Sequence, residues 1–423
     1  MNTAIARFDD TTIVGTNPVT EWQNRAHGGS IFDLDTVVGT AVNLSTLDSG
    51  VALLPGVSGD KLTVPDSADH RGTGDMSLVL EIAAFDWTSG SSDIWIMSGD
   101  NAAVATTNWR VVINGTGGLI LRRPSGATDR AFTASANIGV VDGTKLFIKI
   151  QFDQNNGSAQ SQTDFSTSTD GITYTPLGAA QTNANVGAGN SDTTGLTVGS
   201  GNNDSNPTEA KIFRMQGYSD KDTTTEVFDC DSREASVNTA TFASGGDTYT
   251  IAGDAFVNAT QHTGIYSRGS VGLETTAGQL LTDPITVYAA FKPTLAAPGA
   301  NQTIYASRSD GAARHSMFSR ETNSDKFDMF AGSTLSMTPA YDNNLRIFTN
   351  QWLGTASSKQ TISDVGSVTG DAGSEDFDFG SIFMNHTGTN QSQGLFLELL
   401  VFPSAHSAGQ ITQIQNYLGA KYA

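Results

Sequence analysis

The 423-residue chain has one cysteine, Cys230, so it holds no internal disulfide framework. Lysine and arginine together number 23 against 43 acidic residues, a net charge of −20. Contacts to phosphates need a basic face, and no basic face is written here, so nucleic-acid binding is not expected. The apolar runs are all short. None has the length of a membrane-spanning segment, and membrane insertion is not expected either. The beginning, MNTAIARFDDTTIVGTNPVTEW, lacks a basic stretch followed by an apolar one, so no secretory leader is expected.

Glutamate is scarce too. Of the 43 acidic residues 9 are Glu and 34 are Asp, and there are 45 glycines. Glu and Lys populate helix surfaces, whereas Asp, Asn, Gly and Ser populate turns. The composition therefore predicts many short strands joined by many turns, an all-β chain. Its length predicts more than one core.

The pattern along the chain agrees. Leu62 and Val64 mark one strand, and Met76, Leu78, Leu80 and Ile82 alternate along the next. WRVVI, LILRR, KLFIKIQF and AKIFRMQGYSD continue the series, and Asp170-Gly171 sits between two strand-like runs as a tight hairpin turn. Residues 221–262 have an alternation of their own, ending in the hairpin-like GGDTYTIAGD. From residue 263 the opening theme returns, a coarse duplication of architecture. This divides the chain into four parts. Residues 1–50 are a β-rich segment, either an attachment arm or opening strands of the first domain. Residues 51–220 form a first antiparallel β-sandwich, 221–262 a β-rich seam, and 263–423 a second sandwich. The seam is expected to cover the first.

The ending LFLELLVFPSAHSAGQITQIQNYLGAKYA sets a strand before the one convincing helix. Alternation puts Leu397, Leu399 and Val401 on one face, and Phe396, Leu400 and Phe402 on the other with Glu398 as the polar exception. Ser407 and Gln410 have the spacing of a capping box, and Ile411, Ile414 and Leu418 form an apolar stripe with Tyr417 beside it. A helix this short persists only docked, so it is expected to cover the strand.

FLELLVFPSAHSAGQITQIQNYLGAKY and DPITVYAAFKP resemble the closing and early strands of concanavalin A-like (laminin-G-like) jelly rolls. The ordered pieces LTVPDSADHRGTGDMSLVLEIAAFDW, FSTSTDGITYTPLG, LTVGSG, AKIFRMQGYSD and FDCDSREASVNTATFASGGDTYTIAGDA resemble such domains in bacteriophage virion structural proteins. The resemblance implies two jelly rolls on a tail, a fibre or a capsid decoration, assembled in the host cytoplasm and released by lysis. It implies other virion proteins as partners, a homo-oligomer, and weak multivalent adhesion to host-surface glycans. The alternatives are a secreted carbohydrate-binding module or glycan-active hydrolase, and a ligand-free capsid cement protein.

Candidate chemistry is sparse. Glucan-cleaving relatives of this fold carry Glu-x-Asp-x-(x)-Glu, and no Glu-x-Asp occurs here. The nearest approach, Asp229-Cys230-Asp231-Ser232-Arg233-Glu234, starts with the wrong acid and reads as a strand end plus turn. The chain is therefore expected not to be an enzyme. His315, His386 and His406 share a domain but read as loop residues. Trp87, Trp95 and Trp109 lie near strand ends, as does Trp352. The first three are the candidates for a glycan platform, with core packing as the plainer reading of each. No cofactor is expected apart from calcium. DQNNG, with Asp153, Asn155 and Asn156, and GSGNNDSN at 199–206 have its oxygen ligands, which are also the commonest turn formers.

Overall fold

The computed structural model describes residues 60–84, 108–125, 128–184, 210–235, 240–252, 264–268, 272–293, 302–307, 316–320, 326–337, 344–384 and 392–422. It also describes shorter pieces, chiefly 6–8, 13–14, 21–23, 25–26, 36–38, 42–43, 50–53, 87–88, 94–98, 195–199 and 256–258. The chain is all-β with a C-terminal helix, and it forms two compact units. One is Asp48–Ala259; the other joins Met1–Leu47 to Thr260–Ala423.

Each unit is a two-sheet antiparallel sandwich. In the first, one sheet runs Thr128–Asn137, Gly118–Ser125, Arg110–Ile113, Ile94–Ser98, Leu196–Val198, Lys61–Val64, Asp247–Ala252, Thr241–Ser244. The other is built around Met76–Ala84, which lies between Lys145–Asp153 and Ala210–Tyr218. The alternating residues Leu62, Val64, Met76, Leu78, Leu80 and Ile82 enter one buried core with Leu146, Ile148, Ile150 and Phe152. Period-two patterning thus lands on the inner faces.

The seam does not cover this sandwich; it extends both sheets. Glu226–Asp231 pairs with the far half of Ala210–Tyr218, and the Thr241–Ser244/Asp247–Ala252 hairpin pairs with Lys61–Val64. Phe256–Asn258 pairs with Gly50–Leu53. Phe242 and Tyr249 from the hairpin are core residues.

Nor do the first strands open the first sandwich. Ala6–Phe8 pairs with Gln393–Phe402, Thr36–Val38 with Gly272–Leu281, and Val42–Asn43 with Ile265–Arg268. Ala6, Phe8, Trp22 and Leu34 all belong to the core of the second unit. These strands hold the same places there that Glu226–Asp231, Asp247–Ala252 and Phe256–Asn258 hold in the first unit. The two sandwiches are therefore circular permutations of one topology. The completing segment follows the body in the first and precedes it, by more than 200 residues, in the second.

The hairpin at Asp170-Gly171 is wider than a two-residue turn. Gln160–Ser168 returns at Thr175–Pro176, and Asp170 Oδ1 accepts from the Ile172 and Thr173 amides, each at 2.8 Å, and from Ser168 Oγ at 2.7 Å. One carboxylate organises the loop, with Gly171 at φ 72° beside it.

The closing strand Gln393–Phe402 is buried along its whole length, but strict alternation fails within it. The register against Ile285–Pro293 shifts so that Phe291 faces Phe396 and Ala290 faces Glu398, leaving Leu397 as an extra residue. A bulge inverts the face on which the following side chains fall. Phe396 therefore shares the core with Leu399 and Val401, rather than lying opposite them.

The helix Ala408–Tyr422 buries Ile411, Ile414, Leu418 and Tyr422. Its capping box forms as its spacing predicts. The Gln410 amide donates to Ser407 Oγ at 3.4 Å, and Gln410 Oε1 accepts from the Ser407 amide at 2.9 Å. Below it, the fully buried Glu398 carboxylate meets Arg7 Nε at 3.2 Å, Lys421 Nζ at 2.9 Å and the Tyr422 hydroxyl at 2.9 Å. Arg7 also donates to the Tyr417 hydroxyl at 3.0 Å.

Two outcomes are expected. Glu398→Gln keeps the volume and removes the charge that two cations face, so it should lower stability by about 2–3 kcal/mol. That is under the full value for an orphaned buried charge, because Arg7 and Lys421 are partly exposed and reach water. Urea denaturation of native and variant chains checks it, and coincident midpoints would refute it. At the hairpin, hydrogen bonds from the Thr173 and Ile172 amides and Ser168 lower the Asp170 carboxyl from the ordinary value to about 2. A depressed carboxyl stabilises the fold above its unfolded value, and that stabilisation is lost as pH falls through the folded one. The loop should therefore hold at pH 4 and loosen towards pH 2. A side-chain NMR titration should give a midpoint near 2, whereas one near the ordinary ~3.9 refutes the network.

Candidate functional site

At one end of the first sandwich the turn Ala68–His70 leads into the loop before Met76–Ala84. Ser67 caps the turn by accepting from the Asp69 amide at 3.2 Å, which sends Asp69 outward and His70 inward. Gly72 follows at φ 53°, and an added Cβ would lie 2.8 Å from Met76 Sδ and 3.3 Å from the Trp109 ring. The chain can pass so closely only without a side chain.

His70 is 3% exposed. Its Nε2 lies 2.9 Å from Asp247 Oδ2, and its ring meets Phe228 edge to face at 5.5 Å. Its backbone carbonyl accepts from Trp109 Nε1 at 2.8 Å. Asp247 comes from the seam hairpin, whose Gly245-Gly246 turn has φ values of 57° and 91°. Phe228 is admitted by Gly217, where a Cβ would fall 2.0 Å from its ring.

His70, Gly72, Gly217 and Phe228 help to wall a cleft of about 250 Å³, with Asp247 outside its lining. Trp109, Met76, Leu78, Val227 and Phe228 supply its apolar surface, and Asp69, Thr73, Asp75, Tyr218 and Ser219 its polar surface. Asp69, Thr73, Asp75 and Ser219 are exposed, whereas Trp109, Met76 and Phe228 are buried. Small-molecule sites have this make-up, an apolar bed with a few convergent polar groups. Behind Met76, the buried Arg123 donates to its Sδ at 2.7 Å and stacks on Phe152 at 4.4 Å. Burial lowers the Arg123 guanidinium to about 10, and Asp75 opposes the shift.

The residues singled out in the sequence fall elsewhere, with one exception. Trp87 is 1% exposed and belongs to the core. Trp109 is 0% exposed; it lines the cleft but gives its indole N–H to His70. Neither is a sugar platform on the surface, because both rings fill the space between the sheets. Trp95 pairs with Val112 in the ladder, and its side chain lies outside the described residues. Trp352 is buried in the second core.

The calcium candidates lie in turns. Asp153 Oδ1 accepts from the Asn155 amide and its Oδ2 meets Lys221 Nζ, each at 2.9 Å. Asn155 and Asn156 accept from the amides of Gly157 and Ser158. These oxygens already have donors, one of them a cation. Among the described residues no three His, Cys, Asp or Glu side chains gather as metal ligands. In the 199–206 stretch only Gly199 is among the described residues.

Asp229 sits in a fork from Arg214, at 2.8 and 2.7 Å, and Asp231 in one from Arg233, at 2.7 and 2.9 Å. Burial raises the Asp231 carboxyl, but the Arg233 hydrogen bonds outweigh this and hold it below the ordinary value. Of the histidines, His406 is buried with Nδ1 2.8 Å from the Tyr288 hydroxyl; His315 and His386 lie outside the described residues.

Neither a protein-family profile nor a curated protein matches this sequence. Solved structures do resemble it at low identity. Domains LG4-5 of the mouse laminin alpha1 chain are 11% identical with a TM-score of 0.30, over 84% of this chain and 87% of that one. A heptameric SAP-like pentraxin from Limulus polyphemus is 16% identical with a TM-score of 0.32, over 50% and 95%. The binding domain of botulinum neurotoxin DC, in complex with SialylT, is 8% identical with a TM-score of 0.29, over 94% and 98%. At such values the likeness does not carry the function of those proteins to this chain.

The geometry makes a direct prediction. Gly217→Ala places a methyl inside the Phe228 ring and should cost about 1–3 kcal/mol, as overpacking typically does. The Phe228 ring must move, so the His70 ring resonances should shift with it in NMR spectra. Unchanged stability and unchanged His70 signals would contradict the packing.

Proposed function

We propose that this chain is a non-enzymatic, glycan-binding structural protein of a bacteriophage virion, with two concanavalin A-like sandwiches displayed on the particle. The observation that carries the glycan reading is the cleft, where exposed Asp69, Thr73, Asp75 and Ser219 stand over the buried Trp109, Phe228 and Met76. A sugar ring has a girdle of hydroxyls, and these exposed polar groups are the partners hydroxyls take. The volume lies just under the roughly 300–1,000 Å³ of drug-sized sites, so it suits one ring of a longer glycan. One ring binds weakly. A homo-oligomer carrying many copies would convert modest affinities into firm adhesion to a host surface. The virion reading is supported by the ordered sequence pieces that resemble phage structural domains. The non-enzymatic reading is supported by the Arg214 and Arg233 forks that occupy Asp229 and Asp231.

A glycan array probed with the full chain tests the reading. Gly74 also lines the cleft, and a Cβ there meets only Gln154 Oε1 at 3.8 Å, an ordinary contact. Gly74→Phe should therefore fill the cleft without unfolding the chain, and weaken glycan binding at least tenfold with an unchanged thermal melt. Binding that survives this change places the glycan elsewhere. Silence across the array, with stoichiometric copies on purified particles, would favour a ligand-free cement protein. Polysaccharide turnover abolished by Asp229→Asn or Asp231→Asn would make it an enzyme.

A further inference from the structure

The two sandwiches share one topology but finish differently at one edge. In the second unit a sheet runs Gly366–Gly370, Ser358–Ile362, Arg346–Trp352, Ile285–Pro293, Gln393–Phe402, Ile265–Arg268, Val42–Asn43, so Gly366–Gly370 is its outermost strand. Among the described residues no strand lies on the far side of it. The matching strand of the first unit is Thr175–Pro176. That edge is blunted, because proline has no amide hydrogen to offer. The residues after it are also tied to the opposite sheet. The Ala179 amide donates to Ser135 Oγ at 2.8 Å, and Asn183 Nδ2 donates to the Ala131 carbonyl at 3.4 Å.

Gly366–Gly370 carries no such guard. It has no proline and no charged residue, in a chain of net charge −20, and its register with Ser358–Ile362 is unbroken. Gly366, Ser367 and Thr369 are exposed. An outermost strand turns alternate amides and carbonyls away from its own sheet, where another strand can pair with them. The sequence says which strand that is. Gly-Ser-Val-Thr-Gly reads nearly the same in both directions, as a strand pairing with its own copy across a two-fold axis requires.

The pleat then sets the register. Directly opposed residues point to the same face, so the axis must pass through a residue and not between two. With the axis on Val368, all five residues find partners. Gly366 faces Gly370 of the second copy, Ser367 faces Thr369, and Val368 faces its own counterpart. Hydroxyl pairs of this kind stabilise facing strands. Val368 packs on the margin of the second core and would gain an apolar neighbour. One step further out the exposed Val365 faces Asp371, so that carboxylate does not oppose another.

We infer that Gly366–Gly370 is a homodimer edge, pairing antiparallel with the same strand of a second copy to make one continuous sheet. This inference rests on the homo-oligomer in the reading above and supplies its interface. Five residues a side fall well short of the roughly 20–30 of a stable complex, so the pair is weak and reversible alone. It gains strength where many copies are held together.

Sedimentation velocity of the full chain over a concentration series tests the inference. The native chain is expected to self-associate reversibly, and hydrogen exchange at 366–370 should slow as concentration rises. Ser367→Lys with Thr369→Lys sets like charges opposite each other twice across the axis. Both sites are exposed, so the thermal melt should hold while association weakens at least tenfold. Ser367→Glu with Thr369→Glu should do the same, and mixing the two double variants should restore association. Native self-association that both double variants retain overturns the inference and leaves the homo-oligomer to another interface. So does a loss that mixing fails to restore. A native chain that stays monomeric throughout, with unchanged exchange at 366–370, overturns the inference and the homo-oligomer together, whereas glycan binding is judged by the array.

Discussion

One buried carboxylate holds the second sandwich closed. Glu398 lies in a strand with no exposed residue, and an unpaired charge there would cost several kcal/mol. Its two cations come from opposite ends of the sequence, Arg7 from the first described strand and Lys421 from the last turn of the helix. Neutralising that charge therefore requires both ends of the chain to arrive. The same contact explains why the final helix sits where it does. Tyr422 donates to Glu398, Tyr417 accepts from Arg7, and the stripe Ile411, Ile414 and Leu418 is buried alongside.

The permuted topology follows the same logic at larger scale. A sandwich whose central strand lacks a neighbour along half its length leaves backbone amides and carbonyls unpaired, which a buried sheet does not tolerate. Ala210–Tyr218 finds that neighbour in Glu226–Asp231, just downstream, whereas Gln393–Phe402 finds it in Ala6–Phe8. One unit is thus contiguous and the other is split around it. Val42–Asn43 and Gly50–Leu53 are consecutive strands, yet they pair in different units.

What was legible in the sequence was local. Period-two runs such as KLFIKIQF named the core residues, and Ser407 with Gln410 placed the helix start to the residue. Partner choice was not legible. Nothing within IARF says that it joins a strand almost 400 residues away, because strand pairing depends on which edge is free rather than on local pattern. The bulge at Leu397 was hidden for a related reason: both faces of that strand are apolar, so alternation gives no signal when it slips. For the tryptophans the sequence left two readings open, because a ring near a strand end can fill the interior or stand on the rim. Trp87 and Trp109 do the former.

The cleft was the least legible part, and its assembly shows why. His70 and Asp247 are separated by 177 residues, and neither is remarkable in its own neighbourhood. They meet because the segment that completes the sheet also carries the acid. Gly245-Gly246 turns the hairpin close against Asp229, where a Cβ at Gly245 would fall 2.4 Å from the Asp229 carbonyl oxygen. The Ser244 hydroxyl accepts from the Asp231 amide at 2.9 Å and fixes the same hairpin. Asp247 then stands at the start of its strand, within reach of His70. Completing the sandwich and bringing Asp247 to His70 are therefore one structural event. In the body alone, without residues 221–259, the imidazole would have neither Asp247 to orient it nor Phe228 to hold its ring. The His70–Asp247 pair beside the cleft is a product of strand addition, which ties the site to the topology that distinguishes this chain.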